Sequence, residues 1–193
     1  MTDISALLRD PPELNADGIA LRPLDETRLE DVWRSLHDPE TIRMTHTHAR
    51  FTREAVHAYL AGLRVSEDRA DWAILSAGDG AYLGEVVLNE LDAANHAMNF
   101  RIALSGPHVL GRGHGTTATR CVLDFAFGPL GLHRVSLDVA AYNPRARRVY
   151  EKCGFVAEGV LRQAIHWDCR WHDSILMAVL ATDPRPSGDR DRR

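Results

Sequence analysis

The sequence predicts a mixed α/β domain: a mostly antiparallel, seven-stranded sheet flanked by about four helices. Three observations carry this. Apolar residues recur at helical spacing between residues 25 and 63, then switch to period-2 alternation from residue 71 to 104. In the second half, helix-forming and strand-forming segments alternate. The 193 residues, 45% of them hydrophobic, suit one unit able to bury a core.

The elements follow in chain order. Residues 19–24 (IALRPL) alternate loosely and read as a first strand. Residues 25–36 place Leu29, Val32, Trp33 and Leu36 on one helical face, with Asp25 as a cap. Residues 44–51 (MTHTHARF) are irregular, and Thr52 then caps a helix bearing Val56, Tyr59, Leu60 and Leu63. Strands at 71–77 and 81–91 are joined by Gly78-Asp79-Gly80, and a third at 96–104 completes an antiparallel meander. A glycine-rich turn opens a helix over 116–127. A strand at 133–141, a helix at 143–153 closed by Gly154, and strands at 155–167 and 171–180 complete the order β-αα-βββ-α-β-α-ββ. Residues 1–18 are expected as an N-terminal extension, 19–181 as the folded domain and 182–193 (charged, with Pro and Gly) as a mobile tail.

Composition excludes several classes. A net charge of −4 argues against non-specific binding to nucleic acid or anionic membrane. No apolar run approaches the ~20 residues of a membrane-spanning helix, and residues 1–10 lack the basic-then-apolar pattern of a signal peptide. The expected location is therefore cytoplasmic. Cys121, Cys153 and Cys169 form no CxxC pair, which argues against a disulfide framework or structural zinc, and no metal is expected. Lys152 is the only lysine, so a P-loop or Schiff-base lysine has no other place to sit. A Ser-His-Asp hydrolase is disfavoured because no Gly-x-Ser-x-Gly elbow is present.

Leu110-Gly111-Arg112-Gly113-His114-Gly115-Thr116 stands between a strand and an amphipathic helix. Glycines there allow positive φ and close approach of a ligand to the main chain. The free N–H groups and the positive helix end favour phosphate oxygens. The alternating G-x-G-x-G spacing fits neither the Walker A loop nor the dinucleotide fingerprint. A surface loop would show the same glycines, so this turn alone decides nothing.

Asn143-Pro144 opens the next helix, with Asn as cap and Pro at the first helical position. Ala146, Val149, Tyr150 and Cys153 form its apolar stripe. Tyr150 reads either as a core aromatic or as an inward-facing phenol able to return a proton to a thiolate. Cys153, with no histidine beside it in sequence, reads as a small buried hydrophobe.

In this order the glycine turn and the segment Asn143-Pro144-Arg145-Ala146 leading to Tyr150-Glu151-Lys152-Cys153-Gly154-Phe155 resemble the acetyl-CoA-binding core of the GNAT (Gcn5-related) N-acetyltransferases. Leu132-His133-Arg134-Val135 and Glu158-Gly159-x-Leu161-Arg162 resemble the RimJ/RimL-like branch. The resemblance implies an acetyltransferase domain over 19–181 that moves acetyl from acetyl-CoA, its co-substrate, to a primary amine by direct attack in a ternary complex. It implies main-chain contacts from Ile102, Ala103 and Leu104 to the pantetheine arm. It further implies a pyrophosphate cradle at Gly111, Arg112, Gly113, His114, Gly115 and Thr116, a cofactor contact from Asn143, and Tyr150 as general acid. Two departures stand out: Leu110 replaces the family's usual Gln or Arg, and Asn99 stands where many relatives carry Glu. The base is therefore sought among Glu85, Glu90 and Asp138.

The acceptor, a small-molecule amine or a protein N-terminus, is expected between the loop after the first helix (His46, His48) and the last two strands (His166, Trp167, Trp171, His172). No run of acidic residues in the sequence marks a polycation site. Relatives in this family are often monomers or dimers, so the resemblance allows a homodimer. A second reading stands beside the enzyme: a non-catalytic acyl-CoA-binding or sensory module.

Overall fold

The structure is a computed structural model that describes residues 4–184. The segment 185–193 of the expected tail lies outside the described residues. An eight-stranded sheet runs in the order β1-β2-β3-β4-β5-β6-β8-β7, formed by β1 (Leu14–Ala16), β2 (Ile19–Pro23), β3 (Ala70–Ser76), β4 (Tyr82–Asp92), β5 (Ala97–Leu104), β6 (Arg134–Ala140), β7 (Val156–Trp167) and β8 (Arg170–Leu180). Every neighbouring pair is antiparallel except β5–β6. The helices are α1 (Ile4–Arg9), α2 (Leu29–Ser35), α3 (Pro39–Met44), α4 (Arg53–Gly62), α5 (His114–Phe127) and α6 (Pro144–Lys152).

The predicted class and strand order hold, with differences that have local causes. The eighth strand is β1. It pairs with β2 through the two-residue turn Asp17-Gly18, Gly18 at φ +73°, the Asp-Gly hairpin signal in a strand of only three residues. Trp72, wholly buried, donates its indole N–H to the Pro12 carbonyl at 2.9 Å, and Leu8 is buried in the main core; both tie residues before 19 to the sheet. The helix expected over 25–36 begins as a 3-10 turn at Glu26–Arg28. Helix α3 is unpredicted, although Asp38-Pro39 is an N-cap followed by Pro at N1: the Asp38 carboxylate accepts the Thr41 N–H at 2.7 Å. Its six residues bury only Thr41, so no apolar stripe announces it. No helix among the described residues is long and apolar enough to cross a membrane.

Each face of the sheet has its own core. On one, Trp72, Ile74, Val86, Leu88, Met98 and Phe100 pack against Ala118, Val122, Leu123 and Phe125 of α5 and Tyr150 and Cys153 of α6. On the other, Ala73 and Leu75 pack against Val32 of α2 and Val56 and Leu60 of α4. Strand β3, covered on both sides, is therefore buried at six successive residues, a continuous apolar-rich run with Asp71 set into it.

The feature that positions the site is the parting of β5 from β6. They pair only over Ala97–Asn99 against Arg134–Ser136. Strand β5 then continues to Leu104, held by β4 alone, while β6 continues to Ala140, held by β8. The rings of Phe100, Tyr150 and Phe155 gather just past the fork, with centroids 5.7–6.3 Å apart. At the far end Gly84 of β4 sits at φ +147°, so close to β5 that a Cβ there would lie 2.2 Å from the Ala103 carbonyl oxygen. Gly84→Ala is expected to cost about 2–3 kcal/mol, read as a thermal midpoint lowered by roughly 5–10 °C. An unshifted midpoint would contradict this packing.

Candidate active site

The fork between β5 and β6 opens a cleft of about 560 Å³. Residues from both faces of β5 line it: Phe100, Ile102 and Leu104 from the α5/α6 side, Asn99, Arg101 and Ala103 from the other. The cleft therefore passes through the plane of the sheet. On the β6 side, β5 has no strand partner beyond Asn99, so main-chain N–H and C=O groups over 100–104 are presented to whatever occupies the gap. An extended ligand carrying amides can pair with such an edge as a strand does.

One end of the cleft is the glycine turn. Gly111 and Gly113 adopt φ +74° and +87°, and neither would press a Cβ against any neighbour, leaving open space at both. Helix α5 starts at His114 with Gly113 as N-cap and no side-chain cap; its first i→i−4 bond runs from the Thr117 N–H to the Gly113 carbonyl. The N–H groups of His114, Gly115 and Thr116 precede that bond. By contrast, Asp38, Thr52 and Asn143 cap α3, α4 and α6 with side-chain oxygens. Gly111, Gly113, His114, Gly115 and Thr116 line the cleft; Arg112 is exposed and is not among the wall residues. A diphosphate fits this chemistry: uncapped amides, a positive helix end and room for close approach.

Asn143 and Tyr150 reach the same cleft from α6. Asn143 Oδ1 accepts the Ala146 N–H at 3.1 Å, so its capping role is filled by its oxygen. Tyr150 is 7% exposed, edge-on to Phe100. Burial pushes its phenol well above the ordinary range, the nearby Asp138 carboxylate adds to this, and Arg101 opposes it. The group is a fully protonated acid at neutral pH. Cys153 donates its thiol to the Thr116 carbonyl at 3.7 Å, and burial pushes it up to about 11. That is a packed thiol with little thiolate, as its place on the stripe predicts.

A further wall is the unpredicted α3, with Glu40, Thr41, Met44 and Thr45 lining the cleft. Thr41 Oγ1 donates to the Leu104 carbonyl at 3.2 Å, Arg145 at the start of α6 pairs with Glu40 at 3.2 Å, and the Tyr142 hydroxyl donates to the Arg43 carbonyl at 3.0 Å. These bonds fasten α3 across the gap. His46 lines the cleft just beyond. Of the other residues expected at the acceptor end, none is among the wall residues of this cleft: His48 packs on Trp167 at 5.2 Å, His166 on Trp171 at 4.7 Å, and His172 meets Tyr142 at 4.8 Å.

The three candidate carboxylates separate. Glu90 lines the cleft from a β-bulge, at φ +58°, where β4 carries one residue more than β5 between Asn89 and Asp92. Asp138 lines it from β6 and accepts the Ser174 hydroxyl at 2.8 Å. Glu85 is not in the wall of this cleft. It is half-buried in a separate hollow of about 80 Å³ on the α2/α4 side, shared with Tyr59, Arg69 and Arg101. Beside it the buried Asp71 takes two bonds from Arg69, at 2.7 and 2.8 Å, and one from the Tyr59 hydroxyl at 2.8 Å. Burial first, then repulsion from Asp71, raise the Glu85 carboxyl to about 7, against the pull of Arg101 and Arg69.

Three comparisons bear on this arrangement. The profile described as Acetyltransferase (GNAT) domain matches residues 19–156. The chain is 36% identical over 98 residues to the spermidine N(1)-acetyltransferase of Vibrio cholerae, a stretch covering 51% of this chain and 56% of that protein, so the match spans little more than half its length. To the spermidine N(1)-acetyltransferase of Escherichia coli K12 it is 29% identical over 169 residues, 86% of this chain and 87% of that one. Among solved structures, that of spermidine N-acetyltransferase from Vibrio cholerae in complex with CoA and spermine shares the fold, with a TM-score of 0.80, 24% identity and coverage of 86% of this chain and 97% of that one. With a forked sheet, an uncapped helix at its mouth and a domain profile spanning most of its length, the chain belongs to the GNAT acetyltransferase family.

Proposed function

We propose that this protein is an acetyl-CoA-dependent N-acetyltransferase acting on a primary amine by direct attack in a ternary complex. One observation carries the reading: the unpaired edge of β5, the uncapped start of α5 and the Tyr150 phenol face a single cleft that runs through the sheet. Bound acetyl-CoA supplies the acetyl group as an activated thioester. The amides of His114, Gly115 and Thr116, with Gly111 and Gly113 giving room, hold the diphosphate. Main-chain groups of Ile102, Ala103 and Leu104 hold the pantetheine amides as an added strand would, and Asn143 contacts the same arm. A main-chain N–H near the end of β5 meets the charge that develops on the carbonyl oxygen. Tyr150 gives its proton to the departing sulfur.

Among amines, a polycation is favoured. Glu90 and Asp138 converge on the cleft from different strands, and the relatives matched are named for spermidine. The Leu132-His133-Arg134-Val135 and Glu158-Gly159 motifs support the RimJ/RimL-like branch; in the structure Arg134 and Glu158 pair directly, at 2.5 and 2.8 Å.

Tyr150→Phe separates this reading from a non-catalytic acyl-CoA-binding module. In thiol-release assays kcat should fall by about 10²–10³-fold, while calorimetry gives unchanged acetyl-CoA affinity; a variant as fast as wild type removes Tyr150 as the acid. Gly113→Val, at a left-handed position beside the diphosphate amides, should raise the acetyl-CoA KM by about tenfold or more. An unaltered KM takes the turn out of the site.

Glu85 allows a test by stability. Its folded value of about 7 lies above the ordinary 4.5, so its contribution is fully present below pH 4.5 and is lost as pH rises through 7. Glu85→Gln, which fixes the neutral form, should therefore stabilise the fold at pH 8 by about 1–2 kcal/mol and leave it unchanged at pH 4. Denaturant midpoints at the two pH values check this, and an equal effect at both would refute it.

A further inference from the structure

His46 occupies an unusual place. Helix α3 ends in a Schellman motif: the Thr47 N–H reaches back to the Ile42 carbonyl at 3.1 Å, and the His46 N–H to the Arg43 carbonyl at 3.4 Å. His46 is the residue after the cap, at φ +44°, the position that Gly or Asn takes without strain. A histidine held there by backbone bonds has its imidazole set by the end of α3, on the wall of the cleft.

Its surroundings are those of the reaction. His46 Nδ1 is buried and has no hydrogen-bond partner. The charged groups that act on the ring are Asp138 from β6, by attraction, and Arg101 from β5 and His48 from its own loop, by repulsion. Asp138 and Arg101 are also the charged groups acting on Tyr150. The imidazole and the phenol thus share two charged neighbours and line the same cleft, one carried by the end of α3 and the other by α6. Glu90 of β4 and Glu40 of α3, the latter paired with Arg145, are further carboxylates lining the cleft. Burial, the largest influence, holds the imidazole below its ordinary 6.5, so it is neutral at physiological pH with a ring nitrogen able to take a proton.

We propose that His46 is the proton acceptor of the transfer, placed by the end of α3 to deprotonate the acceptor's ammonium group, an assignment that rests on the acetyl-transfer reading above. The ammonium N–H bond breaks and its proton passes to the imidazole. The freed lone pair forms the C–N bond to the acetyl carbon, the C–S bond breaks, and the electron pair leaves with sulfur, which takes the Tyr150 proton. Tyr150 is reprotonated from the nascent amide nitrogen, and His46 releases its proton to solvent. Glu90 and Asp138 hold the cation and stabilise the imidazolium.

The test is the pH dependence of kcat/KM for His46→Asn and wild type, at saturating acetyl-CoA, with a panel of spermidine, spermine, propylamine and a peptide N-terminus. Asn suits the left-handed position, so the variant keeps the α3 end. With the alkylamine acceptors, wild type should show a plateau from about pH 7.5 to 9.5, between the imidazole and amine ionisations, and with the peptide N-terminus a plateau ending about two pH units lower. His46→Asn should be slower at pH 7 by about 10²–10³-fold. It should then recover about tenfold per pH unit towards pH 10, where the amine is already neutral, and calorimetry should give it the wild-type acetyl-CoA affinity. A variant that keeps the wild-type profile, is slowed equally at every pH, or loses acetyl-CoA binding overturns the assignment. If wild type acetylates no member of the panel, the acetyl-transfer reading itself fails, and the assignment with it.

Discussion

Everything in this molecule that could act on a ligand depends on two neighbouring strands ceasing to pair. After Asn99 and Ser136, β5 and β6 each keep one partner, β4 and β8, and part from one another. Buried main-chain polar groups left without partners are costly. A strand edge opened inside a domain is therefore either solvated or built for a guest that carries its own amides. The ring cluster of Phe100, Tyr150 and Phe155 fills the apex on the α6 side, so the fork is supported by packing.

The same logic applies at the glycine turn. Three helices spend side-chain oxygens on their first N–H groups, whereas α5 begins after a left-handed glycine and has no side-chain cap. Helix dipole, open amides and absent Cβ atoms coincide at one spot, and that spot lies at the end of the free strand edge. Charges of both signs line the cleft: Arg145, Arg148 and Lys152 on α6, Glu90, Asp138 and Arg101 on the strands, and Glu40 on α3, paired with Arg145.

Helix α3 supplies part of the wall of the cleft at the fork. It is short and weakly apolar, and it is fixed by polar bonds rather than by a core stripe: Thr41 to Leu104, Glu40 to Arg145, and the Arg43 carbonyl to Tyr142. The first joins it to β5, and the other two join it to the start of α6 and the residues just before it. Its Schellman end then delivers His46 to the cleft that Tyr150 also lines. Short helices held this way gain little from hydrophobic burial, so their place is set by the partners they find.

Periodicity alone located seven strands, four helices, the glycine turn and the inward face of Tyr150, because each is a local property: alternation, capping residues, left-handed glycines and a 3.6-residue stripe. The Asp17-Gly18 turn and the Asp38-Pro39 cap were equally local, but the elements they serve, β1 and α3, are too short for a period to show. What no reading along the chain could decide is which residues meet. Glu85 and Glu90 lie five positions apart on one strand, yet a bulge and the pleat send one into the cleft and the other into a hollow on the α2/α4 face. Glu90, Asp138, Arg101 and His46 come from four segments and line one cleft because β5 and β6 diverge. Local order is fixed by steric and hydrogen-bonding preferences of neighbours in sequence; the site is fixed by strand pairing, which joins residues that the chain holds far apart.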